Sequence, residues 1–227
     1  MSGFFDRFRG FNPPPDVSKV QERSMEKNRR DTLLKELSGL EIVTNQDRVF
    51  LLLVLEGLKS VCDIQLVNPD RSAYKSEADY QDWTREYNKA ISKVEELLKR
   101  FRLPYTLDYY RDDGRYSCEG AVFQVGKDEA SLQALQNVRQ PEEFGHVFEI
   151  PDTAISGWID ERIMDLDSLP DSVKKGDCFH FIDFMLSEDH WQEELEFVKR
   201  RAEQVKQLAP DLYAKIVSEG KQERSEA

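Results

Sequence analysis

The densest group of reactive side chains in this 227-residue chain is Asp177, Cys178, His180, Asp183, Asp189 and His190. Thiolate and imidazole are borderline-soft donors, so Cys178, His180 and His190 form a candidate zinc site. The same Cys–His pair is the minimum for thiolate chemistry of a hydrolase type. If residues 178–184 form a strand, its two-residue period puts Cys178 and His180 on one face, with Asp177 and Asp183 on the other. His190 joins them only if the chain folds back across a turn at Ser187. The competing reading is structural: Cys178 and His180 share an apolar face with Ile182 and Phe184 and pack in the core. The carboxylate pairs Glu142/Glu143 and Asp165/Asp167 have no partner that singles them out, and read as a solvated acidic face.

Two further groups carry recognition chemistry rather than catalysis. Tyr105, Tyr109, Tyr110, Arg111, Arg115 and Tyr116 crowd around an expected hairpin tip. Tyr and Arg are enriched at interface hot spots, and they also stack on single-stranded nucleic acid. Asp108, Asp112 and Asp113 in the same place argue against the nucleic-acid option. At the N-terminus, Phe4, Phe5, Phe8 and Phe11 interleave with Arg7 and Arg9 ahead of three consecutive prolines. This is the composition of an aromatic terminus folded back on its own body, of a short docking motif, or of a membrane-surface anchor.

The elements that must position these groups are read from periodicity and caps. Val49–Leu55 is an uninterrupted apolar run with no polar face, so it predicts a helix over about 45–61 that is covered on all sides. Thr44 or Asn45 caps it, Asp47 suits its first turn, and Gly57 is tolerated inside it. A polar helical arm over 16–40 precedes it, behind a Phe/Pro-rich terminus at 1–15. Asp63–Val67 is a short strand candidate. Tyr80, Trp83, Tyr87, Ala90, Val94, Leu97 and Phe101 recur at steps of three and four, predicting an amphipathic helix over 76–101. Pro104 ends it, and residues 104–126 read as an antiparallel hairpin around Asp113-Gly114, with a bulge at Gly120. Short helices follow at 129–138, 142–148 and 152–159. The aromatic, β-branched stretch 178–186 favours strand and would join the sheet. Ser187 caps a helix running to Leu208, and a last helix ends at Gly220 before a polar tail at 221–227. The fold expected is α+β and predominantly helical, one compact domain over 41–220 built on the buried helix and a small sheet.

Composition narrows the function classes. The net charge is −12, yet residues 1–48 hold nine Lys/Arg against eight Asp/Glu, so the acidity belongs to the folded body. Such a body repels bulk nucleic acid and anionic membranes. Cys62, Cys118 and Cys178 are odd in number and far apart, which argues against a disulfide framework or a zinc-finger site. No Gly-rich phosphate loop, HExxH or Gly-x-Ser-x-Gly occurs. No leader-like apolar segment follows Phe5, and no apolar run is long enough to span a membrane, so a cytoplasmic protein is expected.

Two stretches resemble an uncharacterised prokaryotic domain family. EEFGHVFEIPDTAISGWI (142–159) is similar in its Gly-x-x-x-x-x-Pro turn between two short helices, and FIDFMLSEDHWQEELEFVKRRAEQVKQLAPDLY (181–213) in its turn into a long helix. Relatives tend to carry cysteines near both turns, where this chain has Thr153 and Ser187–Asp189. The family has no assigned activity, so the resemblance implies no functional residue and no cofactor.

The leading expectation is a non-catalytic cytosolic protein-interaction or regulatory domain. It would bind a protein partner or itself through Phe4, Phe5, Phe8, Phe11, Tyr109, Tyr110, Arg111 and Arg115. The first alternative is a zinc-binding protein or hydrolase-type enzyme using Cys178, His180 and His190. The second is a nucleic-acid-associated protein using the hairpin.

Overall fold

A computed structural model describes residues 17–69, 71–112 and 118–226. Helix α1 spans Val17–Ser38 and α2 spans Asn45–Leu55; strand β1 follows at Val61–Pro69, then α3 at Glu77–Phe101. Strands β2 (Tyr105–Asp112) and β3 (Cys118–Gly126) precede α4 (Glu129–Gln136), α5 (Pro141–Val147) and α6 (Asp152–Ile159). A one-turn α7 (Asp171–Lys174) and a 3-10 turn (Asp177–Phe181) lead to α8 (Trp191–Leu208) and α9 (Pro210–Glu226). The result is the expected α+β architecture, mostly helical, with one three-stranded antiparallel sheet in the order β1-β3-β2.

The all-apolar run forms the central helix because two cores meet on it. Leu51 and Val54 of α2 face the sheet, α3 and the end of α1, while Val49, Leu52 and Leu53 face α8, α9 and Phe181. Thr44 starts the helix with a reciprocal cap: its hydroxyl accepts from the Asp47 amide at 3.1 Å, and the Asp47 carboxylate accepts from the Thr44 amide at 3.0 Å. The helix stops at Leu55 rather than continuing to 61. Gly57 takes φ +69 and turns the chain out, with the amides of Leu58 and Lys59 closing on the Leu53 carbonyl. That early stop frees Val61–Pro69 to become β1, longer than the expected 63–67 and the third strand of the sheet.

The expected arm is divided. Met25 is exposed, whereas Leu33 and Leu37 are fully buried in the sheet-side core. Helix α3 is the periodic helix as read, capped by the Ser76 hydroxyl on the Asp79 amide, with Tyr87, Ala90, Val94, Leu97 and Phe101 buried. In the hairpin, pairing of β2 and β1 with β3 runs in register through Gly120, so the expected bulge is absent. Gly120 is required there for another reason: a Cβ would lie 2.1 Å from the Tyr110 ring packed over it.

The stretch 178–186 does not join the sheet. Residues 177–181 make a 3-10 turn wedged against α8 and α9, with Phe181 1% exposed. Its aromatic content serves core packing, not strand pairing. Only Ser187 is bridged, to Ile163, in a short antiparallel contact far from β1–β3. Gly220 likewise does not end α9; it lets the His180 ring sit on the helix, where a Cβ would lie 2.1 Å from Nδ1.

Candidate functional site

The structure separates the candidate metal ligands. Successive residues of a 3-10 turn are about 120° apart around its axis, so Cys178 and His180 diverge. Cys178 packs partly buried against the α8–α9 core, and burial pushes its thiol up, away from the reactive thiolate. His180 turns to Gly220 and a hollow lined by Asn45, Gln46, Ile216 and Glu219. His190 instead supplies the backbone N-cap of α8 and sits half-exposed, its Nδ1 4.0 Å from Glu193, beside a different hollow near Arg162 and Asp189. The zinc and hydrolase arrangements are therefore not assembled. Among the described residues no group of three or more His, Cys, Asp or Glu is placed to hold a metal ion.

The hairpin residues are also dispersed. Tyr109 and Tyr110 point to opposite faces of β2. The Tyr110 ring covers Gly120 and its hydroxyl accepts from Gln65 Nε2 at 2.6 Å, so it serves the sheet. Tyr109 is 66% exposed, but next to it stands the exposed Asp108, and Arg111 pairs in register with Glu119. Arg115, the Asp113-Gly114 turn and the four Phe of the N-terminus lie outside the described residues.

What the chain does assemble is an apolar groove between α5, α6 and the segment 184–185, with a volume of about 620 Å³. Phe144 and Pro141 form one wall, Ile155 and Trp158 the other, and Phe184 and Met185 close the end. Two glycines make the walls possible. A Cβ on Gly145 would meet Ile155 at 2.6 Å, and one on Gly157 would meet the Ser187 side chain at 2.5 Å, so each helix lies directly against its neighbour. Among the described residues, six of the nine large apolar side chains that stand exposed fall in this part of the chain: Phe144, Trp158, Ile159, Ile163, Leu166 and Met185. Exposed apolar side chains scattered singly are ordinary, whereas a cluster around a groove marks a contact surface.

The groove is held from behind by buried polar anchors. Glu194, 1% exposed, accepts from the Ser187 amide at 2.7 Å and from the Ser187 hydroxyl at 2.6 Å, fixing the segment to α8. Asp183 pairs with Arg201, both side chains under a tenth exposed, and the Arg201 guanidinium stacks 4.6 Å over Phe197. At the far end of α5, Phe144 stacks on Phe148, whose carbonyl accepts from Lys59 Nζ at 2.7 Å. Lys59 is buried, and that burial lowers its pKa to about 8.

The groove's lining holds no carboxylate and one cation, Arg139, but the stretch of chain that builds it is acidic. Residues 129–190 hold 14 Asp/Glu against four Lys/Arg, so most of the chain's net charge of −12 belongs to this stretch of the sequence. Asp152 and Asp160, at the two ends of α6, are both exposed, as is Glu142 on α5. Arg139, at the groove mouth, is turned inward to the carbonyls of Gln136 and Val138 at the end of α4.

Sequence reading missed the groove. Its one signal was α6 itself: DTAISGWI carries Ala154, Ile155, Trp158 and Ile159 in eight residues, more apolar surface than one buried face accommodates. Comparisons with protein-family models, with curated proteins and with solved structures found no match to this chain. No helix among the described residues is long and apolar enough to cross a membrane.

Proposed function

We propose that the protein is a non-catalytic interaction module of the cytoplasm whose α5–α6 groove receives an apolar, basic segment of a partner protein. The observation that carries this reading is an apolar groove set in the most acidic part of the chain. Trp158, Phe144 and Met185, each more than two-fifths exposed, provide anchoring surface for aromatic or aliphatic side chains. Aromatic residues in such positions dominate binding energy. The surrounding carboxylates select Lys or Arg on the flanks of the incoming segment and speed its approach. Opposite charge at the rim favours the right partner more than it adds affinity.

The test is selection from a displayed library of random peptides on the wild-type chain, with counter-selection on Trp158→Ser. The expected peptides carry two or more apolar anchors flanked by Lys or Arg, lose at least tenfold in affinity on Trp158→Ser, and weaken with added salt. Recovery only of peptides that bind both chains equally, or of acidic peptides, overturns the proposal.

A further inference from the structure

A second cavity lies between α1 and the α8–α9 junction, and its chemistry is the reverse of the groove's. Its volume is about 740 Å³, within the ordinary range for small-molecule sites. Five cationic side chains line it, Lys27, Arg30, Lys35, Arg48 and Lys215, against two carboxylates, Asp31 and Asp211. In a chain of net charge −12 this is a local reversal of sign.

The decisive residue is Arg48, which is 6% exposed. Its two terminal nitrogens donate to neutral acceptors, Asn45 Oδ1 at 2.7 Å and the Leu40 carbonyl at 3.0 Å, while its Nε has no acceptor. Among the described residues it has no carboxylate within ion-pairing distance. Burial lowers its pKa, Asp47 and Glu219 compensate the charge only from a distance, and a closer anion would relieve that cost. Arg30, partly buried, also lines the cavity, though it pairs with two carboxylates. Its buried Nε also lacks an acceptor, and its nearest carboxylates, Asp31 and Glu56, stand at 3.9 and 3.8 Å, beyond hydrogen-bond reach. Lys27 and Lys35, both exposed, add mobile charge at the rim. The first turn of the 17-residue α9 also borders the cavity at Pro210–Leu212, bringing the positive end of its dipole.

The rest of the lining says what else the ligand carries. Leu34, Leu208 and Leu212 give an apolar floor, and the volume exceeds that of a bare inorganic anion. Asp31, Asp211 and the last carbonyls of α8 offer acceptors to hydroxyl or amino groups. We infer that this cavity is a binding site for an organic phosphate of about nucleotide size, its phosphate held by Arg48 and Arg30 and its body lying on the leucines. The site has no Gly-rich phosphate loop and makes its contacts through side chains. It is independent of the peptide groove, and either assignment stands without the other.

The experiment is isothermal titration of the full chain, in low-salt buffer free of phosphate, with ATP, fructose 1,6-bisphosphate and inorganic pyrophosphate. At least one of the two organic phosphates is expected to bind at sub-millimolar Kd and more tightly than pyrophosphate. The double variant Lys27→Glu/Lys35→Glu changes only exposed side chains, so its fold is retained. It should weaken binding at least tenfold, since it reverses two positive charges at the cavity rim. Arg48→Gln, checked for folding by circular dichroism, should abolish the heat of binding. No heat from either organic phosphate at millimolar concentration overturns the inference, as does tighter binding of pyrophosphate or an unchanged Kd in Lys27→Glu/Lys35→Glu.

Discussion

The two sides of α2 solve the same packing problem with different chemistry. On the sheet side, Leu51 and Val54 meet Ile64, Leu66, Ala121, Phe123 and Val125 in a core with no buried ion pair among the described residues. On the other side, the short elements 177–187 are too brief to bury much apolar area. They are fastened instead by Asp183–Arg201, by Ser187–Glu194 and by glycine-mediated contact at Gly157 and Gly220. Long periodic elements close a core and leave an ordinary surface. Short elements held by polar anchors leave apolar side chains over, and these line the groove. The groove is thus a consequence of how that half is built.

The largest expected effect tests the apolar side. Phe123→Ala, fully buried at the centre of β3, should cost about 3–5 kcal/mol in urea unfolding. A loss below about 1 kcal/mol would mean that the sheet is not the stable half.

The polar side should show a different signature. Arg201→Met strands the Asp183 carboxylate and should cost about 3 kcal/mol, whereas Arg201→Met with Asp183→Leu should recover most of it. Additive losses in the two single variants would break the comparison, because the pair would then not be acting as a unit.

Between the two halves, Lys59 and Asp63 report on pH. Burial raises Asp63 to about 6 from the ordinary 3.8, and one of its carboxylate oxygens is buried without a hydrogen-bond partner. From pH 4 to pH 6 the folded chain therefore binds more protons than the unfolded one, and this group makes stability fall as pH rises. Asp63→Asn should accordingly stabilise the protein by roughly 1–2 kcal/mol at pH 7 and change little at pH 4. Lys59, lowered to about 8 from 10.5, acts in the opposite sense. Between pH 8 and 10.5 the unfolded chain binds the extra proton, so stability should rise with pH in that window and not in Lys59→Met. Thermal melts across pH 4–10 read both slopes.

The smallest effect concerns the two left-handed glutamates that end α5 and α6, both at φ 58. Glu149 earns its position by accepting the Ser60 amide at 2.9 Å, and Glu161 has no such bond. Glu161→Gly should stabilise by up to about 1 kcal/mol, and Glu149→Gly should not. Equal gains in the two variants would show that the Ser60 contact contributes nothing.

Much of the sheet half was legible because its signals are local. The α3 stripe, the Thr44 and Ser76 caps, the Asp128 cap on the Ser131 amide and the alternation in β2 and β3 each act within a few residues. Gly57 was misread as a tolerated interior residue, since one glycine looks the same inside a helix and at its end. The candidate site was scarcely legible. Cys178 and His180 were grouped by a two-residue strand period, and α8 and α9 imposed a 3-10 turn that sends them apart. The four Phe and Arg115 lie outside the described residues.

The amino-acid sequence by itself therefore determined the mostly helical α+β class, the buried central helix, the hairpin and the acidic body, because periodicity, capping and charge are properties of neighbouring residues. Only the tertiary structure decided that 178–186 packs as a turn and that Gly120, Gly145, Gly157 and Gly220 are contact points for distant side chains. It also decided that an apolar groove opens in the acidic half while the buried Arg48 and the partly buried Arg30 line a second cavity. Those features depend on which surfaces meet across the fold, and residue type and spacing do not encode that locally.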